Sequence, residues 1–140
     1  MPKLETYLFF NGNCAEAMQF YEKTLGGKAN LMKVKGSPAE SQMPPGSGNK
    51  ILHGRLDADG GVLMASDWLA PQPYPGTAGF AVAAEYTSAD DAKRVFKALS
   101  KGGKVTMPLD KTFWVETFGM VLDRFGVQWM ISGGKAAGMP

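Results

Sequence analysis

The chain has 140 residues, 44% of them hydrophobic and 20% charged, with a formal net charge of +2. That is one domain's length of ordinary globular composition, with enough apolar residues to bury a core. No Lys/Arg run is long enough to track a phosphate backbone, no apolar run is long enough to span a bilayer, and the single Cys14 excludes an intrachain disulfide and a Cys-based metal site. Nucleic-acid binding and membrane insertion are not expected. The start Met1-Pro2-Lys3-Leu4-Glu5 lacks a signal-peptide profile, so cytoplasmic residence is the expectation.

Residues 4–10, rich in aromatics and Thr, read as a strand. Asn11-Gly12-Asn13 turns the chain, with Asn13 placed to cap a helix. Cys14, Met18, Tyr21 and Leu25 then recur on one helical face, and Gly26-Gly27 supplies a left-handed stop. A strand over 28–35 is followed by a long loop at 36–49, which holds three Pro, three Gly and three Ser. Strands at 50–57 and 61–66 are joined by the Asp59-Gly60-Gly61 turn. Residues 68–77 read as a Pro-stiffened linker.

The second half repeats the order. A strand from Phe80 to Tyr86 precedes Ser88-Ala89-Asp90-Asp91, a capping-box variant with Asp in place of Glu or Gln. Ala92, Val95, Phe96 and Leu99 form the helical stripe, and Gly102-Gly103 ends it. Strands follow near 104–109, 113–122 and 127–132, with 133–140 expected to be a flexible tail. Two echoes mark a duplicated unit. Gly26-Gly27-Lys28 matches Gly102-Gly103-Lys104, and the stretch from His53-Gly54 to Met64 matches that from Phe118-Gly119 to Met130. The chain is thus one domain over 1–140 with a first module at 4–67 and a second at 78–132. The second is shorter, and the 36–49 loop accounts for the difference.

Five segments carry a resemblance to a known family: Tyr7 to Ala17, Phe20-Tyr21 with Leu25-Gly26-Gly27, His53 to Asp67, Thr112-Phe113-Trp114, and Asp123 to Met130. In this order they resemble the vicinal oxygen chelate superfamily (glyoxalase I, bleomycin-resistance proteins and extradiol dioxygenases), in its PhnB-like branch. The resemblance implies an α+β fold of two βαβββ modules, with curved mixed sheets around a concave cleft, assembled as a homodimer. It also implies, for catalytic members, a divalent metal held by His, Glu or Gln from the first and last strand of each module. Laid on this chain, that pattern falls on Thr6, Met64, Phe80 and Met130. None of these is a ligand for a hard or borderline cation, so no metal and no cofactor are expected. The ubiquinone methyltransferase activity often attached to PhnB-like proteins has no support, since Gly46-Ser47-Gly48 follows a Pro-Pro pair and reads as plain loop.

Three residues are candidates for proton transfer. His53, the only His, could act as a general base if a carboxylate orients it, although a lone strand His is more often a satisfied structural group. Asp67 could orient it or simply start a turn. Glu116 shares an alternating strand face with Trp114 and Phe118, an arrangement suited to an apolar ligand bearing one polar group. A ligand-lining set follows: Phe9, His53, Met64, Phe80, Trp114, Phe118 and Met130. Nine Met residues suit an adaptable apolar surface as well as ordinary core filling. Binding of a small molecule without metal is the leading expectation, with proton-transfer or metal-assisted enzyme chemistry and a protein-recruiting sheet face as the competitors. Bleomycin itself fits poorly, because a cationic drug favours an acidic cleft.

Overall fold

A computed structural model describes residues 1–136. The chain divides into two compact units, Met1–Gly76 and Thr77–Pro140, each carrying one helix and one four-stranded sheet. The first unit runs β1 (Thr6–Phe10), α1 (Cys14–Leu25), β2 (Lys28–Lys33), β3 (Ile51–Ala58) and β4 (Gly61–Asp67). The second runs β5 (Val82–Tyr86), α2 (Ala89–Ser100), β6 (Lys104–Asp110), β7 (Val115–Leu122) and β8 (Gln128–Ala136). Strand order is β1-β4-β3-β2 in one sheet and β5-β8-β7-β6 in the other. In each, the first strand pairs parallel with the last and the other neighbours are antiparallel. The fold is α+β, two βαβββ modules, as expected.

Strand alternation sorts each sheet into a helix-covered face and an open face. In the first unit Leu8, Phe10, Leu56, Leu63 and Ala65 of the sheet and Cys14, Ala17, Met18 and Tyr21 of α1 make the core, all at most 7% exposed, with Phe10 packed against Tyr21. In the second, Val121, Trp129 and Ile131 meet Ala92, Val95, Phe96 and Leu99 of α2. Each large apolar side chain buried in this way contributes roughly 1.5–3 kcal/mol. The paired Gly-Gly echo has a steric cause. A Cβ on Gly27 would lie 2.1 Å from the carbonyl oxygen of Asp57, and one on Gly103 would lie 2.3 Å from that of Leu122. At the same point of both modules the chain leaving the helix presses on its neighbouring strand, and only glycine fits.

Several boundaries differ from expectation. Leu4 is 90% exposed and β1 begins at Thr6. Asn13 makes no side-chain cap bond. Instead Asp67 accepts the Cys14 N–H at 3.0 Å from across the unit. On α1 it is Thr24 that is buried, and Leu25 is only half-buried. The 68–77 segment is no free spacer: the Trp68 indole N–H donates to the Gln72 carbonyl at 2.7 Å, and the Tyr74 hydroxyl to the Phe9 carbonyl at 2.8 Å, which fastens it to the first unit. β8 continues to Ala136, because its last residues pair with β7. Residues 133–136 are therefore strand rather than tail, and 137–140 lie outside the described residues. Ser88 caps α2 as expected, its hydroxyl accepting from Asp90 and Asp91.

Candidate functional site

The open face of the first sheet is set out by its register. Tyr7 lies beside Met64, and Met64 beside Arg55; Phe9 lies beside Ser66; His53 lies beside Met32. Tyr7 and Phe9 pack ring against ring, with centroids 5.1 Å apart. Tyr7 also stacks on His53 at 5.6 Å, and its hydroxyl is 3.0 Å from His53 Nδ1. Phe9 continues edge-on to Trp68 at 5.5 Å, and Trp68 to Tyr74 at 6.2 Å. An aromatic run thus extends from the exposed His53 to the segment after β4.

At the Phe9 end lies a cavity of about 590 Å³, walled by Phe9, Met43, Pro44, Ser66, Trp68 and Leu69 among others. The 36–49 loop supplies Met43 and Pro44. It is held by a short helical turn at Glu40–Gln42 and by the Ser47 hydroxyl donating to the Pro44 carbonyl at 2.6 Å.

Charge gathers at the opposite end of the same face. The Arg55 Nε donates to the Asp57 carboxylate at 3.0 Å, and its Nη1 is 3.9 Å from Glu5 Oε2. That Glu5 oxygen is buried and accepts no hydrogen bond.

Asp67 does not join His53. It belongs to the helix-covered side of β4, is 2% exposed, and accepts backbone N–H bonds from Cys14 at 3.0 Å and Ile51 at 2.8 Å. The expected role as the carboxylate that orients His53 is therefore corrected. Both oxygens are committed to the backbone, and the group that meets the imidazole is the Tyr7 phenol. Burial, reinforced by the neighbouring Asp67 charge, pushes the Cys14 thiol up to about 12, which leaves it a neutral core residue at physiological pH.

In the second unit Glu116 is exposed, and its Oε1 accepts the Lys135 backbone N–H at 3.2 Å. It borders a smaller cavity of about 300 Å³ with Lys111, Thr112, Val115, Lys135 and Ala136. Trp114 precedes β7, so the expected even alternation of Trp114, Glu116 and Phe118 is broken by an irregularity between Val115 and Thr117. Trp114 still packs edge-on to the buried Phe118 at 5.4 Å. Met130 sits between Met120 and Ala83. Phe80 precedes β5 and is 45% exposed. Asp123 fixes the β7–β8 turn: Oδ1 accepts from Phe125 and Val127, and Oδ2 from the buried Trp129 indole at 2.9 Å. In this unit burial raises the Tyr86 phenol, with Arg94 opposing and Asp91 adding to the rise.

Register also revises the positions where a metal would be held. Thr6 pairs with the buried Leu63, on the helix-covered side, so Tyr7 is the open-face neighbour of Met64. Ala83, not Phe80, is the neighbour of Met130. Neither the Tyr7–Met64 pair of the first unit nor the Ala83–Met130 pair of the second fits a divalent ion that needs imidazole or carboxylate donors. Among the described residues no group of three or more His, Cys, Asp or Glu could hold a metal.

Tyr7, Arg55, Trp68 and Tyr74 adjoin the candidate site but escape a reading of the sequence. Tyr7 carried a usable signal, since it stands two residues before Phe9 in a strand of period two. Trp68 and Tyr74 were masked by the prolines around them.

The chain resembles proteins of known sequence or structure over nearly its whole length. Protein YjdN of Escherichia coli K12 is 33% identical over 144 residues, covering 94% of this chain and 95% of that protein. The crystal structure of protein PA1353 from Pseudomonas aeruginosa is 41% identical with a TM-score of 0.88, covering 96% and 98% of the two chains. A PhnB protein from Bacillus cereus shares the fold at a TM-score of 0.75 and 22% identity, covering 95% and 100%. The family model for the Glyoxalase/Bleomycin resistance protein/Dioxygenase superfamily matches residues 3–131. With this match and the paired βαβββ modules, the chain belongs to the Glyoxalase/Bleomycin resistance protein/Dioxygenase superfamily.

Proposed function

We propose that this is a PhnB-like protein that binds apolar or amphiphilic small molecules without a metal. The observation that carries the reading is the aromatic and Met surface of the first sheet, Tyr7, Phe9 and Met64, running into the 590 Å³ cavity. That volume falls within the roughly 300–1,000 Å³ of small-molecule sites. The donor chemistry of Tyr7, Met64, Ala83 and Met130 supports metal independence. Trp114 and Met130, both half-buried, offer a second apolar surface in the other unit, backed by the buried Phe118. A thermal-shift series with a hydrophobic amphiphile tests the reading. Saturable stabilisation is expected, unchanged by EDTA and weakened in Phe9→Ala. A stoichiometric divalent ion in the purified protein, whose removal abolishes binding, would overturn it.

One observation favours a second reading, proton-transfer catalysis: His53 has a hydrogen-bonding partner on the open face, in Tyr7 rather than in Asp67 or Glu116. A pH–rate profile that disappears in His53→Ala would decide for it.

A homodimer belongs to the same proposal. It is supported by Met32, Met107 and Val105, which are 51%, 45% and 41% exposed on the edge strands β2 and β6; light scattering that finds only monomer would reject it. No helix among the described residues is long and apolar enough to cross a membrane. The cytoplasmic reading is supported by an unpaired, buried Cys14, and cell fractionation tests it.

A further inference from the structure

We propose that Tyr7 and His53 together form a fixed hydrogen-bond donor that selects neutral, acceptor-bearing aromatic ligands, such as aryl ketones or amides, over anions and cations. This rests on the reading of the open face of the first sheet as the ligand surface. The Tyr7 oxygen is 3.0 Å from His53 Nδ1, and the two rings stack at 5.6 Å with 29° between their planes. Of the two groups a phenol is the stronger O–H acid and a neutral imidazole nitrogen the stronger base, so the phenol donates and Nδ1 accepts. The imidazole proton is then confined to Nε2. His53 is exposed and makes no other hydrogen bond among the described residues. Nε2–H is therefore a donor with a set tautomer, on a side chain beside Met32, which is 51% exposed, and on the face where Tyr7 packs against Phe9, which is 45% exposed.

The charges on the same face narrow the ligand. Two residues along β3, Arg55 is engaged by both Asp57 and Glu5, and Lys28 lies beside Asp57 in the register, so the four charges cancel. An anionic head entering here would find the one guanidinium of this face already engaged by two carboxylates. A cationic head would face the Nε2–H dipole. A neutral carbonyl meets neither objection: it accepts from Nε2–H while its aromatic body lies on Phe9, Tyr7 and Met64.

His53 is the only histidine, so its imidazole signals need no assignment. Long-range ¹H–¹⁵N correlation spectra at pH 8 are expected to show the Nε2–H tautomer in the wild type and a tautomer mixture in Tyr7→Phe. Four probes of similar size are then titrated: acetophenone, ethylbenzene, benzoate and benzyltrimethylammonium. One neutral hydrogen bond predicts that acetophenone binds about threefold to tenfold more tightly than ethylbenzene, with benzoate and benzyltrimethylammonium both weaker than acetophenone. In Tyr7→Phe that preference shrinks toward unity. An Nδ1–H tautomer in the wild type, equal binding of acetophenone and ethylbenzene, or tighter binding of either ion overturns the inference and leaves apolar binding standing. Failure of all four probes to bind overturns apolar binding, and the inference with it.

Discussion

Asp67→Asn separates a structural carboxylate from a catalytic one. In the native protein the two Asp67 oxygens accept from Cys14 at the start of α1 and from Ile51 at the start of β3, at 3.0 and 2.8 Å. The N-terminal N–H groups of a helix have no partner within the helix, and Asn13 supplies none from its side chain. A hydrogen bond to a charged group contributes roughly 1.5–3 kcal/mol, and a carboxylate at a helix N-terminus adds about 0.3–1 kcal/mol, more when buried. Asparagine keeps one acceptor and turns an NH2 group toward the other N–H, so one charge-assisted bond and the charge itself are lost. The expected loss is about 2–4 kcal/mol by urea unfolding, a large share of the roughly 5–15 kcal/mol that holds a typical domain. The exposed His53, changed to Ala, is expected to cost less than about 1 kcal/mol. Removing the Asp67 charge also removes one of the two causes that raise the Cys14 thiol, so the thiol should titrate below its native value of about 12. If Asp67→Asn unfolds within about 0.5 kcal/mol of wild type and instead loses ligand binding or turnover, the structural assignment is wrong.

Four further outcomes follow from the packing. Gly27→Ala and Gly103→Ala each drive a methyl into a backbone carbonyl and should destabilise by about 2 kcal/mol or more; Gly60→Ala, where nothing lies within 4 Å, should change the urea midpoint little. Cys14, at 0% exposure, should resist a thiol reagent at pH 8 in the folded protein and react once unfolded. Because its thiol is raised from 9.0 to about 12, its contribution to stability is intact below pH 9 and falls above it, as the unfolded chain ionises first. Between pH 8 and 10.5 the wild type should lose about 2 kcal/mol more than Cys14→Ala, and equal losses would refute the assignment. Trp129→Phe leaves Asp123 Oδ2 without the indole donor and should cost about 1.5–3 kcal/mol in chemical denaturation; a neutral result would mean the turn is held by Oδ1 alone.

The repeat, the two helices and the order of elements along the chain were legible because they rest on local signals: period-two alternation, period-3.6 stripes and Gly-Gly stops whose steric cause is the same in both modules. The site was half legible. Phe9, His53 and Met64 do share the open face of the first sheet. The partner of His53 was not legible, because it depends on which residue of β1 stands next to β4, a matter of register that no spacing along the chain encodes. Thr6 and Tyr7 are adjacent in sequence but point to opposite faces, and one step decides between a core residue and a ligand contact. The β7 bulge after Val115 defeated strict alternation for Trp114 in the same way.

The two modules solve one problem by different chemistry, and this explains why Asp67 reads as catalytic from sequence. Each needs an acceptor at its helix N-terminus. In the second, Ser88 provides it from the position before the helix. In the first, Asn13 occupies that position without accepting, and the acceptor comes from Asp67 at the end of β4. A cap supplied from a distant strand joins three elements, α1, β3 and β4, through one side chain. It must be buried to do so, and its second oxygen needs its own donor, which Ile51 supplies. A buried carboxylate lining a cavity has the address of an active-site acid, but here each of its oxygens accepts a backbone N–H. His53 and Tyr7 differ in that respect: one hydrogen bond joins them on the open face, and the remaining ring nitrogen makes no bond among the described residues.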